Sequence, residues 1–255
     1  MEFNPHDVEQ KLISKRHDLL FRTNAAGELI SINEPLEADA QPAPAIYVCF
    51  AKGRFLLKHG AGVPEDWIKN LWEILSRVDG TAEVPHTEIE ALIRKSALGH
   101  ADITEIEKGP AFYIPQKPAR TTNVIEINQW NRDVLELHFQ YTHRHWDRLQ
   151  PCLAKVIDDK AVAICRTVRR SSFGLECGVD TTLEFRKRGF GAETVAFWAS
   201  KVWSEGLIPC YSTQWENKAS LALAKKLGMI QYATDILVSS KVENGMRITN
   251  RYRCD

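Results

Sequence analysis

The chain has 255 residues, with 33 Lys and Arg against 33 Asp and Glu, so its formal net charge is zero. This length fits one large or two small domains, and 44% hydrophobic and 26% charged residues are ordinary for a globular protein. The balanced charge argues against a nucleic-acid-binding protein, because such proteins carry an excess of positive charge.

The predicted location is the cytoplasm. The first seven residues (MEFNPHD) lack the basic stretch and apolar core of a secretory signal, and no apolar run is long enough to span a bilayer. The six cysteines form no Cys-x-x-Cys pair, which is typical of reduced core residues rather than of a disulfide or metal framework. We therefore expect no membrane partner and no bound metal.

Residues 1–117 are predicted to form an N-terminal α+β module. The pattern indicates a helix over 8–21, a strand over 28–32, a proline-containing loop over 34–45 and a hairpin of strands 46–51 and 54–58. A helix should begin at Pro64, with Trp67, Leu71, Trp72 and Leu75 on one face. A second helix over 85–95, with Thr87 as N-cap, and a strand over 109–115 follow. Because no catalytic constellation is visible, we expect this module to shape a substrate cleft or an interface.

A second unit is predicted over residues 118–255. The elements are a strand over 123–127, a helix over 128–146, an antiparallel pair over 152–157 and 160–167, and a strand over 174–181. A glycine loop, a helix, a strand over 207–213 and a second helix follow. The chain should then close with a hairpin of 236–242 and 246–252 around Asn244-Gly245. The helix over 128–146 contains three histidines, but no Cys or carboxylate completes a metal-ligand pattern.

The glycine loop at residues 186–191 (RKRGFG) is predicted to bind an anion, with a diphosphate as the natural partner. It follows a strand and precedes a helix, whose first N–H groups are unpaired and carry partial positive charge. Gly189 and Gly191 permit a tight turn and a close backbone approach. Alternatively, the glycines serve only the turn and the basic residues only solubility. The helix itself should pack through one apolar stripe, formed by Val195, Trp198, Ala199, Val202 and Trp203.

This segment resembles the GNAT superfamily of acetyl-CoA-dependent N-acetyltransferases. The family signature Arg/Gln-x-x-Gly-x-Gly/Ala is matched by residues 186–191, and a second signature, an Asn before a short helix ending in Gly-Phe, is matched from Asn217 to Gly228 and Met229. The resemblance covers about residues 120–255 and is closest to a bacterial branch with an extra N-terminal region. It implies an α+β fold with a central mixed, mostly antiparallel sheet, two splayed parallel strands and flanking helices.

The resemblance also implies where acetyl-CoA, the co-substrate, would bind. The backbone of strand residues Val179, Asp180 and Thr181 would pair with the pantetheine arm. Asn217 would hydrogen-bond that arm. The diphosphate would lie on the loop and first helical turn, formed by Arg186, Lys187, Arg188, Gly189, Phe190, Gly191 and Ala192.

The catalytic residues depart from the family pattern. The position where many members have a tyrosine general acid is Ala224, so Tyr211 and Tyr232 are the nearest replacements, although ordinary packing is the favoured explanation for both. Glu176, on the strand before the loop, is the predicted general base, with Asp180 as the second choice. Alternatively, Glu176 pairs with Arg166 or Arg169.

The resemblance predicts an N-acetyltransferase that moves an acetyl group directly from acetyl-CoA to an amine of a small molecule. An acyl-CoA-binding sensor or scaffold is the alternative, and Ala224 is the feature that favours it. The pattern identifies neither the acceptor nor the oligomeric state, and a homodimer is compatible with it.

Overall fold

The computed structural model describes residues 5–51, 54–78, 86–116 and 124–241. The helices over these residues are α1 (Pro5–Leu20), α2 (Glu65–Ser76), α3 (His86–Ser96), α4 (Gln140–His145), α5 (Phe190–Ser204) and α6 (Lys218–Leu227). Short 3-10 turns lie at Glu37–Asp39, Arg132–Leu135 and Leu183–Phe185. The strands are β1 (Phe21–Thr23), β2 (Leu29–Ile32), β3 (Ile46–Ala51), β4 (Arg54–His59), β5 (Asp102–Tyr113), β6 (Val124–Glu126), β7 (Cys152–Ile157), β8 (Lys160–Arg170), β9 (Gly174–Thr181), β10 (Ile208–Ser212) and β11 (Ile230–Lys241).

A nine-stranded sheet in the order β4-β3-β11-β5-β10-β9-β8-β7-β6 forms the centre of the structure. β9 and β10 are parallel, whereas the other neighbouring strands in this sheet are antiparallel. β1 and β2 form a separate two-stranded sheet. The predicted fold class, a mixed and mostly antiparallel sheet flanked by helices, is confirmed.

The sheet continues across the predicted boundary at residue 117, which itself lies outside the described residues. β5, from the N-terminal region, is inserted between β10 and β11, and β3 and β4 extend the same sheet. The predicted N-terminal module therefore shares one sheet with the rest of the chain.

The C-terminal hairpin prediction is affected by the same arrangement. Residues 234–238 of β11 pair with β3 on one side and with β5 on the other. Residues 236–238 of the predicted hairpin therefore have described strands on both edges. The proposed partner strand, residues 246–252, lies outside the described residues.

Helices cover both faces of the sheet. α2, α3, α5 and α6 pack on one face, and α1 and the short α4 pack on the other, because alternate strand residues point to opposite sides. On β3, for example, Tyr47 packs with the α1 cluster and Val48 with the α2–α3 cluster. None of the helices in the described part of the chain combines the length and apolar character needed to cross a bilayer.

Most local predictions are confirmed, and α5 is an example. All five residues of its predicted apolar stripe are buried. In α2, Trp67, Leu71 and Leu75 are buried, but Trp72 is 56% exposed, so its predicted core position is wrong. Trp72 instead contacts Phe55 edge-on, with ring centroids 6.0 Å apart.

The predicted helix over 128–146 is wrong. This segment forms the 3-10 turn Arg132–Leu135 and the six-residue α4. Asn128 Oδ1 accepts from the Trp130 N–H at 2.8 Å, and Asn131 Oδ1 accepts from the Asn128 N–H at 2.8 Å. Such side-chain bonds compete with helical backbone bonds and keep the start of the segment in turns. β5 also begins seven residues earlier than predicted, because β11 supplies backbone partners to its charged first half.

Candidate functional site

β9 and β10 lie side by side at one end and separate at the other. Their parallel ladder consists of Gly174–Ile208, Leu175–Pro209 and Glu176–Cys210. Beyond this point β9 continues to Thr181, paired with β8, and β10 continues to Ser212, paired with β5. A wedge therefore opens in the sheet after Glu176, and Val179, Asp180 and Thr181 lie on its β9 side.

The glycine loop lies directly after the β9 side of the wedge. Gly189 occupies the N-cap position of α5 with φ of 90°, a left-handed conformation that favours glycine. A Cβ on Gly191 would lie 3.1 Å from Thr181 Oγ1 and 3.4 Å from Val179 Cγ2. The absence of a side chain at Gly191 thus lets the start of α5 pack against the end of β9. Phe190 and Ala192 complete the first helical turn.

Three residues of this loop are basic. Arg186 Nε donates to the Thr181 carbonyl at 3.1 Å, and the Arg188 guanidinium lies 4.8 Å from the Phe185 ring centroid. Lys187 adopts a positive φ of 62° in the turn. These three predicted residues therefore lie together at the N-terminus of a 15-residue helix, where the helix dipole favours an anion.

Lys226 of α6 is a further cation at the loop, and the sequence pattern did not indicate it. A Cβ on Gly189 would lie 3.0 Å from Lys226 Nζ, so the ammonium group is adjacent to the loop backbone. Gly189 and Gly191 leave the loop backbone free of side chains at these two positions. Four cationic residues lie in the loop or next to it: Arg186, Lys187, Arg188 and Lys226. These residues fit a diphosphate.

Asn217 caps α6. Its Oδ1 accepts from the Ser220 N–H at 3.1 Å, and the helix ends at Gly228 in the left-handed conformation. Helix start and end are as predicted. The contact of Asn217 with a cofactor remains a prediction.

Glu176 lies at the base of the wedge but is not placed as a general base. Its side chain is 2% exposed and accepts from Arg16 Nη1 at 2.5 Å, Arg169 Nη1 at 2.8 Å and Ser212 Oγ at 3.0 Å. Burial alone would raise the pKa of Glu176, but the two guanidinium groups outweigh it and hold this pKa below its usual value. A carboxylate engaged in this way is a poor proton acceptor. The geometry supports the alternative of pairing with Arg169, whereas Arg166 pairs with Asp180, the second candidate base.

Arg16 of α1 completes this network. It is fully buried, and its Nη2 lies 2.8 Å from Asp235 Oδ2. The Tyr47 hydroxyl donates to Asp235 Oδ1 at 2.7 Å. Sequence reasoning missed Arg16, because one basic residue in an amphipathic helix resembles any solvent-facing residue.

The two tyrosines proposed as general acids lie on opposite faces of the sheet. Tyr211 is buried on the α5 side, where its ring centroid lies 6.5 Å from that of Phe112. Tyr232 is buried on the α1 side, and burial raises its pKa well above the usual value. Ala224 is buried on α6. The structure therefore favours packing roles for both tyrosines.

Further charged and polar contacts lie on the α1–α4 face of the sheet. Arg166 stands opposite Gly178 in the β8–β9 ladder and pairs with Asp180. The Tyr141 hydroxyl of α4 donates to Asp39 Oδ2 at 2.6 Å and so joins α4 to the 3-10 turn Glu37–Asp39.

A cavity of about 390 Å³, which we term the arginine cavity, lies at the end of β8. Glu34 and Arg169 form part of its wall, with Arg169 Nη2 3.4 Å from Glu34 Oε1. Burial raises the pKa of Glu34 despite the nearby Arg169. The wall is formed by Arg22, Asn33, Glu34, Pro35, Asp147, Arg148, Gln150, Thr167, Arg169 and Arg170.

The histidines of the 138–145 region make other contacts. His143 Nε2 lies 3.2 Å from Asp133 Oδ1, and the His145 ring centroid lies 4.9 Å from that of Tyr141. Within the described ranges, no three His, Cys, Asp or Glu side chains are grouped so that they could hold a metal ion.

Comparison with known proteins adds the following similarities. Residues 119–234 match the family model of the GNAT acetyltransferases. An acetyltransferase of the GNAT family from Colwellia psychrerythraea is 10% identical, with a TM-score of 0.48 over 94% of this chain and 98% of that chain. A GCN5-related N-acetyltransferase from Kribbella flavida is 14% identical, with a TM-score of 0.42 over 75% of this chain and 88% of that chain. Among curated proteins, none matches the chain.

The family match includes the wedge, the glycine loop and Asn217, and it ends within β11. The residues that match thus include the predicted anion loop and the opening between the parallel strands. This 116-residue match, somewhat less than half of the 255-residue chain, agrees with the predicted resemblance to the GNAT acetyltransferases.

Proposed function

We propose that the protein transfers an acetyl group from acetyl-CoA directly to the amine nitrogen of a small molecule. The observation that carries this proposal is the wedge between β9 and β10, with the glycine loop and Lys226 directly beside it. The wedge offers the backbone of residues 179–181 to the pantetheine arm, and the loop offers its amides and cations to the diphosphate.

Acetyl-CoA, when bound, supplies an activated acetyl thioester. Transfer forms a C–N bond to the acceptor and breaks the C–S bond, while CoA leaves as a thiolate and the nitrogen loses one proton, so that the products are the acetylated amine and CoA. This chain holds the reactants in line, and a backbone N–H of the β9 side polarises the carbonyl. Because a CoA thiolate is a fair leaving group, Ala224 at the usual acid position is compatible with turnover.

The N-terminal region contributes Arg22, Asn33, Glu34 and Pro35 to the arginine cavity, whose Arg169 contacts Glu176 at the base of the wedge. We assign the acceptor to this side of the sheet, which gives the N-terminal region a role in substrate binding. A cavity of about 390 Å³ suits a small molecule.

The first test is thermal unfolding with and without saturating acetyl-CoA, on the parent and a Gly189→Glu variant. Ligand at about 100 times its dissociation constant adds about 2.7 kcal/mol, which raises the Tm of a domain of this size by about 5–10 °C. The rise should vanish in the variant, and thiol release should follow when an amine panel is added. No rise in the parent would overturn the proposal. A rise without thiol release from any amine would favour an acyl-CoA sensor.

A further inference from the structure

The arginine cavity has an excess of positive charge. Four of the side chains that form its wall are Arg22, Arg148, Arg169 and Arg170, whereas Glu34 and Asp147 are its acidic ones. The guanidinium group is the side chain best suited to bind carboxylate or phosphate, because it presents several N–H donors in a planar fork. A small cavity with this wall complements an oxyanion.

The arginines differ in how strongly the fold holds them. Arg169 is buried and bridges Glu34 and Glu176, so it serves the core network. Arg170 is exposed and donates to the Gln150 carbonyl at 2.7 Å, and Arg148 is 67% exposed beside Asp147. The last two side chains therefore present charge at the mouth of the cavity without supporting the core.

Glu34 gives the cavity a second kind of recognition group. Arg169 links it to Glu176, the residue at the base of the wedge. Its side chain is 26% exposed and so remains accessible from the cavity. A carboxylate on this wall and arginines at the mouth would orient a molecule with an amine at one end and an anionic group at the other.

We infer that the acceptor is an amine that also carries a carboxylate or phosphate group, bound with its anionic end at Arg148 and Arg170 and its amine toward Glu34. This inference rests on the proposed function for the reaction, but it makes a separate claim about the cavity.

The catalytic arm of the test compares matched acceptors at saturating acetyl-CoA. The panel pairs amino acids with their decarboxylated amines, and aminoalkyl phosphates with the corresponding amino alcohols, which separates carboxylate from phosphate recognition. In either the carboxylate pairs or the phosphate pairs, we expect kcat/KM to be about 10- to 100-fold higher for the anionic acceptor than for its counterpart that lacks the anionic group. The Arg148→Gln/Arg170→Gln variant should lose this preference through a higher KM with kcat little changed.

The binding arm does not depend on turnover. Inorganic phosphate and acetate are titrated into the Gly189→Glu variant, whose glycine loop is blocked, with and without the two arginine substitutions. We expect saturable binding of one anion that the substitutions weaken about tenfold or more. Arg77→Gln, which removes an equally exposed charge on the opposite face of the sheet, is the matched control and should change nothing.

The catalytic and binding arms together distinguish failure of the inference from failure of the proposed function. Acetyl transfer without a preference for anionic acceptors, or anion binding that the substitutions leave unchanged, would overturn the inference and leave the proposed function intact. Absence of acetyl-CoA binding and turnover, with arginine-dependent anion binding, would overturn the proposed function but support an anion site in the cavity.

Discussion

Arg16 and Glu176 form a buried ion pair although 160 positions separate them in the chain. Their Nη1 and Oε2 atoms are 2.5 Å apart, with side chains 0% and 2% exposed. Arg16 also pairs with Asp235 on β11, so this one guanidinium joins α1 to two strands of the central sheet. The first helix is therefore an integral part of the fold.

Replacing Arg16 by Leu should destabilise the protein strongly. Removal of Arg16 leaves the buried Asp235 without its cation and leaves Glu176 with Arg169 as its remaining guanidinium, and breaking such a buried pair costs about 3–5 kcal/mol. Denaturant unfolding at neutral pH measures this loss. Arg77→Leu is the control, because its pair with Glu73 is exposed and should contribute about 0–1 kcal/mol at most. Equal effects of the two substitutions would contradict the role of Arg16.

The protein should become less stable at low pH, because protonation of Glu176 removes its charge from the buried ion network. Because its pKa is lower in the folded state than the value of about 4.3 in an unfolded chain, the ionised group stabilises the fold at higher pH. This contribution is present above about pH 4.3 and is lost as the pH falls through the native pKa. Unfolding free energies measured against pH should show the loss below about pH 4.3.

The Glu176→Gln variant should be less stable than the parent at pH 7 and should show a shallower loss in acid. The exposed Glu73→Gln is the control and should leave the acid limb unchanged. The Glu176→Gln variant also distinguishes a structural role of Glu176 from a catalytic one. A fall in kcat of about 100-fold or more, with stability unchanged, would restore Glu176 as the general base.

Gly189→Ala should weaken acetyl-CoA binding as well as stability. A residue with a Cβ in the left-handed region costs roughly 1–2 kcal/mol, and here the Cβ would also lie 3.0 Å from Lys226 Nζ. Gly206→Ala is the matched control, since Gly206 has φ of 75° and nothing within 4 Å of a Cβ. Both should lower stability similarly, but only Gly189→Ala should raise the Kd, by about tenfold or more. Equal Kd values in calorimetric titration would contradict a loop-bound diphosphate.

Lys226→Ala should reduce acetyl-CoA affinity with little change in stability. A charged hydrogen bond to phosphate contributes about 1.5–3 kcal/mol when well formed, and exposure of Lys226 brings the expected loss to about a 3- to 10-fold higher Kd. The neighbouring Lys225→Ala removes the same charge from α6 and should bind normally. If both variants lose affinity equally, the effect is general electrostatics and not a contact at the loop.

Gly109→Ala should disrupt the junction between β5 and the end of β10. A Cβ there would lie 1.7 Å from the Thr213 carbonyl oxygen, a backbone atom that cannot rotate away. Such overpacking against backbone should cost about 4 kcal/mol or more. Gly60→Ala is the control, because its nearest contact is an ordinary 3.5 Å. Thermal unfolding checks the difference, and a Gly109→Ala Tm close to that of Gly60→Ala would show that β5 is not held against β10.

The local features of the site were predictable from the sequence. The loop glycines, the stripe of α5 and the cap at Asn217 depend on residues within a few positions of one another, and the structure has all three as predicted. The failures lie where local signals compete. At 128–131, asparagine side chains bind the backbone and replace the helix that the apolar pattern indicated.

The sequence by itself determined the order of the elements from β7 to α6, the glycine loop before α5 and the family resemblance, because these rest on backbone preference and short spacing. Only the tertiary structure decided that β5 lies between β10 and β11, that Arg16 neutralises Glu176, and that Lys226 reaches Gly189. These relationships join residues far apart in the chain. Strand pairing and the burial of charge depend on the whole sheet and have no local signature. The pairing of Glu176 with Arg169 could therefore be named only as an alternative, and its pairing with Arg16 could not be predicted.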